Sequence, residues 1–182
     1  FAMRAYEGFK SLCVVHLDAH IDWRKERDGV TEGYSNVMRR ASEMAWVESM
    51  TQIGLRGIGS ARPEEIKDAQ EFGSVFIKAR DLHQNGISEC MQQIPTADHY
   101  IITIDSDVFE SAIAPGVLYN TPGGITYDET IDLVKGITGK GKIVGINIFE
   151  LRPERDINGF TASTIAQLMI NFIGTIAHSD QI

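Results

Sequence analysis

The sequence predicts an α/β domain built on a mainly parallel sheet, and three observations carry this prediction. Short apolar runs alternate along the chain with longer stretches of helical period. Several of the short runs are apolar at consecutive positions, which is typical of parallel strands covered on both faces. The chain has 182 residues, and we expect a single domain over residues 1–182, since domains usually hold about 100–200 residues. The alternation of strand and helix patterns favours the α/β class.

The strands are predicted at five short runs rich in β-branched and other apolar residues. In chain order these are Leu12–Leu17, Gln52–Arg56, Val75–Ile77, Tyr100–Ile104 and Ile143–Phe149. Each is too short for an independent helix and lies between polar or glycine-containing segments.

The helices are predicted where apolar residues recur at the helical period. They are Phe1–Phe9, Asn36–Met50, Arg62–Phe72, Ile87–Gln93, Tyr127–Gly136 and Thr161–Ala177. Pro63 with Glu64 and Glu65 marks the clearest helix start, because proline is tolerated in the first turn and acidic residues favour the positive end of the helix dipole.

The composition excludes several classes of protein. With 17 basic and 25 acidic residues the net charge is −8, which disfavours binding to nucleic acid or to an anionic membrane surface. No run approaches the roughly 18 apolar residues of a membrane span. Two cysteines, Cys13 and Cys90, are too few for a disulfide framework. No signal-peptide pattern is visible, so we expect a cytoplasmic protein.

Two acidic segments follow directly after predicted strands. Asp18, His20 and Asp22 come after the first strand, and Asp105 and Asp107 come after the fourth. If the strand conformation continues through these segments, side chains two residues apart point to one side. Both segments are expected at the carboxyl edge of the sheet, where open parallel sheets bind ligands.

Four carboxylates at one edge would repel one another unless cations compensate them. Two divalent ions would balance the four negative charges, and a neutral His20 would add a nitrogen ligand. This oxygen-rich set favours Mn²⁺ or Mg²⁺ over a structural zinc site. Two such ions about 3.5–4 Å apart activate a bridging water for attack on an electrophilic carbon. The alternative, turn or helix-capping aspartates without metal, applies to either segment alone.

Several segments together resemble the ureohydrolase family, which comprises arginase, agmatinase and related guanidino-acid amidinohydrolases. The stretch from Val14 to Asp22 resembles the D-A-H-x-D signature with its preceding strand. Thr103–Asp107, together with Ala114-Pro115-Gly116 and Pro122-Gly123-Gly124, resembles a second family signature, S-x-D-x-D followed by A-P-G and P-G-G. Residues 163–174 resemble the family's last helix. The order and spacing agree over nearly the whole chain.

This resemblance implies a binuclear manganese site with two Mn²⁺ ions per subunit. Asp18 and Asp105 would be shared between the ions, Asp22 would bind one of them, and His20 and Asp107 would bind the other. Asp22 would also orient the bridging hydroxide, which makes it a catalytic residue as well as a ligand.

Other residues acquire substrate roles from the same resemblance. Glu150 matches the family's glutamate that binds the guanidinium group, so it is expected to be catalytic and substrate-binding. Asn36 stands where agmatinases carry a histidine in a Y-S-H-G segment, and asparagine cannot titrate. Arg24 or Arg27 would suit a substrate carboxylate, although a solvated run of charges is the alternative. His16 is either a support of the metal ligands or an ordinary core histidine.

The family fold implied is a three-layer α/β/α sandwich, commonly assembled as a homo-oligomer, a trimer or hexamer. The family's first metal-ligand histidine, in a G-G-D-H segment, has no counterpart here. We therefore expect the 182 residues to be the C-terminal majority of a longer chain, incomplete at the N-terminus, with impaired metal binding as they stand.

The function expected is manganese-dependent hydrolysis of a small linear guanidino substrate, agmatine or a guanidino acid, to urea and an amine. Formimidoylglutamate hydrolysis uses the same metal site and is one alternative. A catalytically silent regulatory subunit is another, and Asn36 with the missing histidine motivates it. No nucleic-acid or membrane partner is expected.

Overall fold

Five parallel strands form one sheet in the computed structural model, which describes residues 5–59 and 61–179. The strands are β1 (Leu12–Leu17), β2 (Val47–Leu55), β3 (Val75–Lys78), β4 (His99–Asp105) and β5 (Lys142–Phe149). Their order across the sheet is β3-β2-β1-β4-β5, and every neighbouring pair is parallel. The predicted parallel α/β sheet is confirmed.

Helices cover both faces of this sheet. They are α1 (Val37–Ser42), α2 (Pro63–Phe72), α3 (Ala79–Gln93), α4 (Tyr127–Thr138) and α5 (Phe160–Ser179). Alternate residues of β1 enter two different cores: Val15 and Leu17 pack with residues of α3, α4 and α5, and Leu12 and Val14 pack with residues of α1 and α2. This alternation produces the expected three-layer α/β/α sandwich.

The strand order creates a crevice beside β1. From β1 the chain moves outward through β2 and β3, then crosses to the other side of β1 to form β4 and β5. Leu17 lies opposite Ile104, so the segments that follow β1 and β4 begin side by side. Such a reversal of strand order is where open α/β sheets bind ligands.

Two predicted helix boundaries are wrong. The helix predicted over Asn36–Met50 ends at Ser42, and Val47–Met50 belongs to β2. The helix predicted from Ile87 begins at Ala79 and is interrupted at Gly86, whose φ of 82° breaks its regular geometry.

The predicted opening helix lies partly outside the described residues. Residues 5–8, which are described, form a short 3-10 segment and a turn and do not continue as an α-helix.

α5 is the one helix in residues 5–59 and 61–179 that is long and apolar enough to cross a membrane, by length and composition alone. The expectation from the sequence that no run approaches a membrane span is therefore wrong for this stretch. Leu168 and Phe172 on this helix are buried in the core against the sheet. Ile170 and Ile173 on its outer side are exposed. The core helix of a soluble protein passes the same length and composition test, and α5 contributes Leu168 and Phe172 to the core cluster that also holds residues of α4.

Candidate metal centre and substrate cavity

A cavity of about 330 Å³ lies at the carboxyl ends of the strands. His20 and Asp22 enter it from the segment after β1, and Asp105 and Asp107 enter it from the end of β4. Glu150, directly after β5, also lines it. Three separate strand ends therefore supply charged side chains to one space.

The segment after β1 bends rather than continuing as a strand. β1 ends at Leu17, and the backbone bends at Ala19 and His20. The carboxylate of Asp18 accepts a hydrogen bond from the backbone N–H of His20 at 2.7 Å, and Asp22 has a φ of 47°. The expectation of an extended backbone here is wrong, and the bend with its left-handed Asp22 is what turns these side chains toward one another.

The segment after β4 is likewise a turn. Ser106–Val108 is a 3-10 segment, and Asp105 accepts a hydrogen bond from the backbone N–H of Asp107 at 2.9 Å. The carboxylate of Asp107 in turn accepts from the backbone N–H of Ala19 at 3.2 Å. The two acidic segments are thus joined directly to each other.

Potential ligand atoms gather in two groups that share Asp18. One group contains Asp18, His20 and Asp107, and the other contains His16, Asp18 and Asp22. In the first, Nδ1 of His20 lies 3.0 Å from Oδ2 of Asp107 and 3.2 Å from Oδ1 of Asp18. Asp105 lies beside both groups and lines the cavity.

The electrostatics of the cluster show strong mutual influence among these groups. Burial, together with the neighbouring Asp18 and Asp107, raises the pKa of Asp105 to about 9. Burial and the charges of Asp18 and Asp105 raise the pKa of Asp22 well above its ordinary value. Hydrogen bonds to Asp107 and Asp18 raise the pKa of His20 to about 11. Without a metal ion, the cluster therefore retains protons that a divalent cation would displace.

Asp18 differs from its neighbours because two imidazoles contact it. Burial alone would raise its pKa, but His16 and His20 hold the pKa of Asp18 below its ordinary value. Nε2 of His16 lies 3.0 Å from Oδ2 of Asp18. The sequence left two interpretations of His16 open, a support of the metal ligands or an ordinary core histidine. Its contact with Asp18, a candidate metal ligand, favours the first.

A buried amide sets the tautomer of His16. Nε2 of Gln52 donates to the backbone carbonyl of Ile21 at 2.8 Å and lies 3.1 Å from Nδ1 of His16. Ser74 donates to the amide oxygen of Gln52 at 3.2 Å. Because the Gln52 amide nitrogen is a donor, Nδ1 of His16 accepts and its Nε2–H points to Asp18.

These residues fit a pair of divalent cations. Four carboxyl groups and one imidazole converge, and the pKa of Asp22 and of Asp105 is raised by crowding with like charges and burial. Divalent cations would remove that repulsion, and oxygen ligands with one imidazole suit Mn²⁺ or Mg²⁺.

Arg56 joins the loops around the cluster, whereas the sequence predicts it only as the end of the second strand. Its guanidinium donates to the backbone carbonyls of Asp107 at 2.6 Å, Thr121 at 2.8 Å and Gly54 at 3.0 Å. The sequence did carry one sign of this role, since Arg56 directly follows an apolar strand at the carboxyl edge of the sheet, where ligands are expected.

Glu150 occupies a left-handed backbone position next to an arginine. Its φ is 65°, and its Oε1 accepts a hydrogen bond from Nε of Arg152 at 3.2 Å. Arg152 lines the cavity and was not singled out from the sequence.

The structure places Arg24 and Arg27 at the cavity, but not Asn36. Arg24 lies 3.7 Å from Glu65, and Arg27 donates to the hydroxyl of Tyr34. Asn36 is fully buried, accepts from the backbone N–H of Gly33 at 3.0 Å and donates to the carbonyl of Arg24 at 2.8 Å. The expected substrate contact of Asn36 is thus replaced by a role in shaping the loop that carries Arg24.

Comparison with known proteins gives consistent matches. The sequence model of the Arginase family matches residues 2–174. The chain is similar to the agmatinase of Pyrococcus horikoshii, at 28% identity over 163 residues that cover 90% of this chain and 55% of that protein. It is similar to the formimidoylglutamase of Macrococcus caseolyticus, at 26% identity over 92% of this chain and 53% of that protein.

A solved structure shares the fold closely. The proclavaminate amidino hydrolase from Streptomyces clavuligerus superposes with a TM-score of 0.87 at 26% identity, over 98% of this chain and 60% of that one. The chain spans little more than half the length of the relatives that it matches.

Proposed function

Because this chain belongs to the arginase family, we propose that it carries the catalytic centre of a manganese-dependent hydrolase that converts a linear guanidino compound to urea and an amine. One observation carries the proposal. The acidic segments after β1 and β4 meet at the reversal of strand order, and Glu150 after β5 faces the same cavity. A cluster suited to cations and a carboxylate suited to a guanidinium group lie together.

Five side chains would hold the metal ions: Asp18, His20, Asp22, Asp105 and Asp107. When bound, two Mn²⁺ ions would neutralise the carboxylates and make a water molecule acidic enough to react near neutral pH. His16 and Gln52 would keep Asp18 in its ligating orientation, as residues behind metal ligands commonly do.

Glu150 would orient the substrate. A carboxylate matches the planar array of N–H donors on a guanidinium ion, and Glu150 already accepts a hydrogen bond from such a group on Arg152. The net reaction adds one water to the guanidinium carbon, breaks the bond from that carbon to the substituted nitrogen and releases urea with the protonated amine. Asp22, which also lines the cavity, would orient the attacking oxygen by hydrogen bonding.

Formimidoylglutamate hydrolysis is the second candidate. It is supported by the formimidoylglutamase relative and by the arginines at the cavity, which suit a substrate that carries carboxylates. Both candidates use the same metal-ligand residues and differ in the group that is cleaved.

The test measures products from the manganese-loaded protein. Urea release is assayed with agmatine, arginine, guanidinobutyrate and guanidinopropionate, and glutamate release is assayed with formimidoylglutamate. We expect urea from at least one guanidino compound. Glutamate without urea would favour the second candidate, and no product from any substrate would refute both.

A matched pair of variants tests the role of Glu150. Glu150→Gln removes the charge that pairs with the substrate and should lower kcat/KM by about 30- to 100-fold, the usual effect of losing one charged hydrogen bond. Glu154→Gln makes the same change at an exposed position outside the cavity and should leave kcat/KM unchanged. Equal kcat/KM for both variants would refute this role.

A further inference from the structure

Arg152 presents to Glu150 the same chemical group that the proposed substrate would present. Its Nε donates to Oε1 of Glu150 at 3.2 Å. The backbone of Arg152 is anchored, since its N–H donates to the carbonyl of Gly116 at 2.8 Å. Its side chain is 41% exposed, so the guanidinium head has room to move while the backbone stays in place.

The carboxylates around the cavity leave Arg152 with one partner. Apart from the candidate metal ligands, the carboxylates among the described residues that line the cavity are Glu65 and Glu150. Glu65 is engaged elsewhere: it lies 3.7 Å from Arg24 and accepts from the backbone N–H of Arg62 at 2.8 Å. A guanidinium that takes Glu150 from Arg152 therefore leaves Arg152 without a free carboxylate partner among the described residues that line the cavity.

Three arginines line the cavity wall beside five carboxylates. The arginines are Arg24, Arg27 and Arg152. With two divalent ions neutralising the aspartates, the arginines outnumber the remaining carboxylates, Glu65 and Glu150, by one. This excess of positive charge disfavours a substrate that brings a second cation. A substrate with a carboxylate at its far end supplies the anion that the displaced arginine requires.

We propose that Arg152 is a specificity-determining residue that competes with the substrate guanidinium for Glu150 and selects guanidino compounds bearing a carboxylate. The inference rests on the proposed function for the identity of the group bound at Glu150. Guanidino acids compensate the displaced Arg152 with their own carboxylate. Agmatine, whose far end is an amine, leaves Arg152 unpaired and adds to the positive charge.

The experiment measures equilibrium binding, so it does not depend on turnover. Isothermal titration of the manganese-loaded protein uses millimolar guanidinium chloride, 4-guanidinobutyrate and agmatine as ligands. The variants are Arg152→Ser, Arg152→Lys and the control Arg80→Ser, which removes an exposed arginine of α3 outside the cavity. Circular dichroism checks that each variant is folded.

Removing the competitor should strengthen the binding of bare guanidinium. We expect the Kd for guanidinium to fall about 2- to 5-fold in R152S, the range for one partly exposed ion pair. The wild-type protein should bind 4-guanidinobutyrate about 10-fold more tightly than agmatine, and R152S should lose most of that preference. R152K should retain part of it, because the charge remains without the planar fork. R80S should behave as the wild type.

Two results would overturn the inference: an unchanged guanidinium Kd in R152S, or a wild-type preference for agmatine. Guanidinium binding that tightens in R152S without any hydrolysis would refute the proposed hydrolase while supporting the competition. Hydrolysis of agmatine in preference to guanidino acids would support the hydrolase and refute the competition. Should R152S fail to fold, R152K decides: the inference fails if its guanidinium Kd and its preference equal those of the wild type.

Discussion

The imidazole of His16 lies between a candidate metal ligand and an amide that sets its tautomer. His16 contacts Asp18 through Nε2 and Gln52 through Nδ1. Both His16 and Gln52 are buried, so neither side chain exchanges its partner readily for water. At the scale of the residue, the orientation of Asp18 thus depends on a side chain outside the ligand set predicted from the sequence.

Replacing Gln52 tests this dependence. Gln52→Leu keeps the approximate volume but removes the donor to Nδ1 of His16, so this buried nitrogen loses its partner and the imidazole that contacts Asp18 is held less firmly. We expect Mn²⁺ affinity to fall about 10- to 100-fold, as is usual for residues that support metal ligands, measured by calorimetric titration.

Ser74→Ala is the matched control for Gln52→Leu. It removes only the hydrogen bond to the far end of the Gln52 amide, so its effect on Mn²⁺ affinity should be several times smaller. An equal loss of affinity in the two variants would indicate general loosening of the core rather than loss of the contact with His16.

The site residues that could be predicted from the sequence are those that lie close together along the chain in a recognisable pattern. Asp18, His20 and Asp22 lie within five consecutive positions after an apolar run, so their chemistry is visible without a fold. Gln52 and Arg56 act on residues of other strands, and such contacts have no local signature. The bend after β1 was also missed, although Asp18 is a usual turn residue and accepts the hydrogen bond from His20 that forms it, because the apolar run of β1 favours continuing the strand.

At the scale of the element, Arg56 links the end of β2 to two loops of the site. Its contacts with the carbonyls of Asp107 and Thr121 require several donors in one plane, which only a guanidinium provides. Arg56→Lys should lower the free energy of unfolding by about 2–3 kcal/mol, because carbonyls in a partly buried site lose their donors. Urea denaturation measures this change, and weaker Mn²⁺ binding should accompany it.

Arg62→Lys provides the comparison for Arg56→Lys. The side chain of Arg62 is 59% exposed and lies 4.0 Å from Glu65, so its replacement should change the free energy of unfolding by less than about 0.5 kcal/mol. A similar small change for Arg56→Lys would show that the loops do not depend on the guanidinium.

Two glycines give opposite predictions for the same substitution. A Cβ at Gly124 would lie 2.3 Å from the backbone of Phe109, where Ile125 bridges to Phe109 beside the site. Gly124→Ala should therefore lower the free energy of unfolding by about 2–4 kcal/mol. A Cβ at Gly174 in α5 meets nothing within 4 Å, so Gly174→Ala should raise it by about 1 kcal/mol.

Thermal and urea unfolding of the two glycine variants measure both effects. Destabilisation by Gly174→Ala would contradict the open environment of that position. Tolerance of Gly124→Ala would contradict the close approach of the two backbones.

The ends of helices and strands could be predicted where the hydrophobic pattern stops at a residue that breaks the element, such as glycine, and not elsewhere. β1 was predicted with its observed bounds, and α2 ends at Phe72 as expected because Gly73 follows in a left-handed conformation. The helix after Asn36 was predicted too long, since Val47–Met50 continues an apolar pattern that pairing with β1 turns into strand. The start of α3 was missed because Ala79 follows β3 without an intervening turn.

At the scale of the whole molecule, the cluster couples metal binding to the stability of the fold. The folded protein raises the pKa of Asp105 to about 9 and that of His20 to about 11, so it binds more protons than the unfolded chain between about pH 6 and 9. The stability contributed by these groups is present at low pH and lost as the pH rises. Asp18, whose pKa is lowered, has the opposite effect, but only below about pH 4.

Unfolding experiments with and without metal test this coupling. In EDTA, the free energy of unfolding should fall from pH 6 to pH 9, with a slope of about 1.4 kcal/mol per pH unit for each additional proton held by the folded state. Saturating Mn²⁺ should remove most of this slope, because the ligands bind the metal in their deprotonated forms. A flat or rising profile in EDTA would contradict the prediction.

The left-handed backbone at Asp22 and Glu150 lowers the stability of the fold at two positions whose carboxylates line the cavity. Their φ values of 47° and 65° belong to a region that glycine enters freely and that costs other residues about 1 kcal/mol or more. Glycine at either position would relax the backbone but remove a carboxylate from the cavity. Selection of this protein for heat resistance alone should therefore enrich glycine at positions 22 and 150. The variants obtained would survive higher temperatures at the expense of the site, so a library meant to keep the activity must hold these two positions constant.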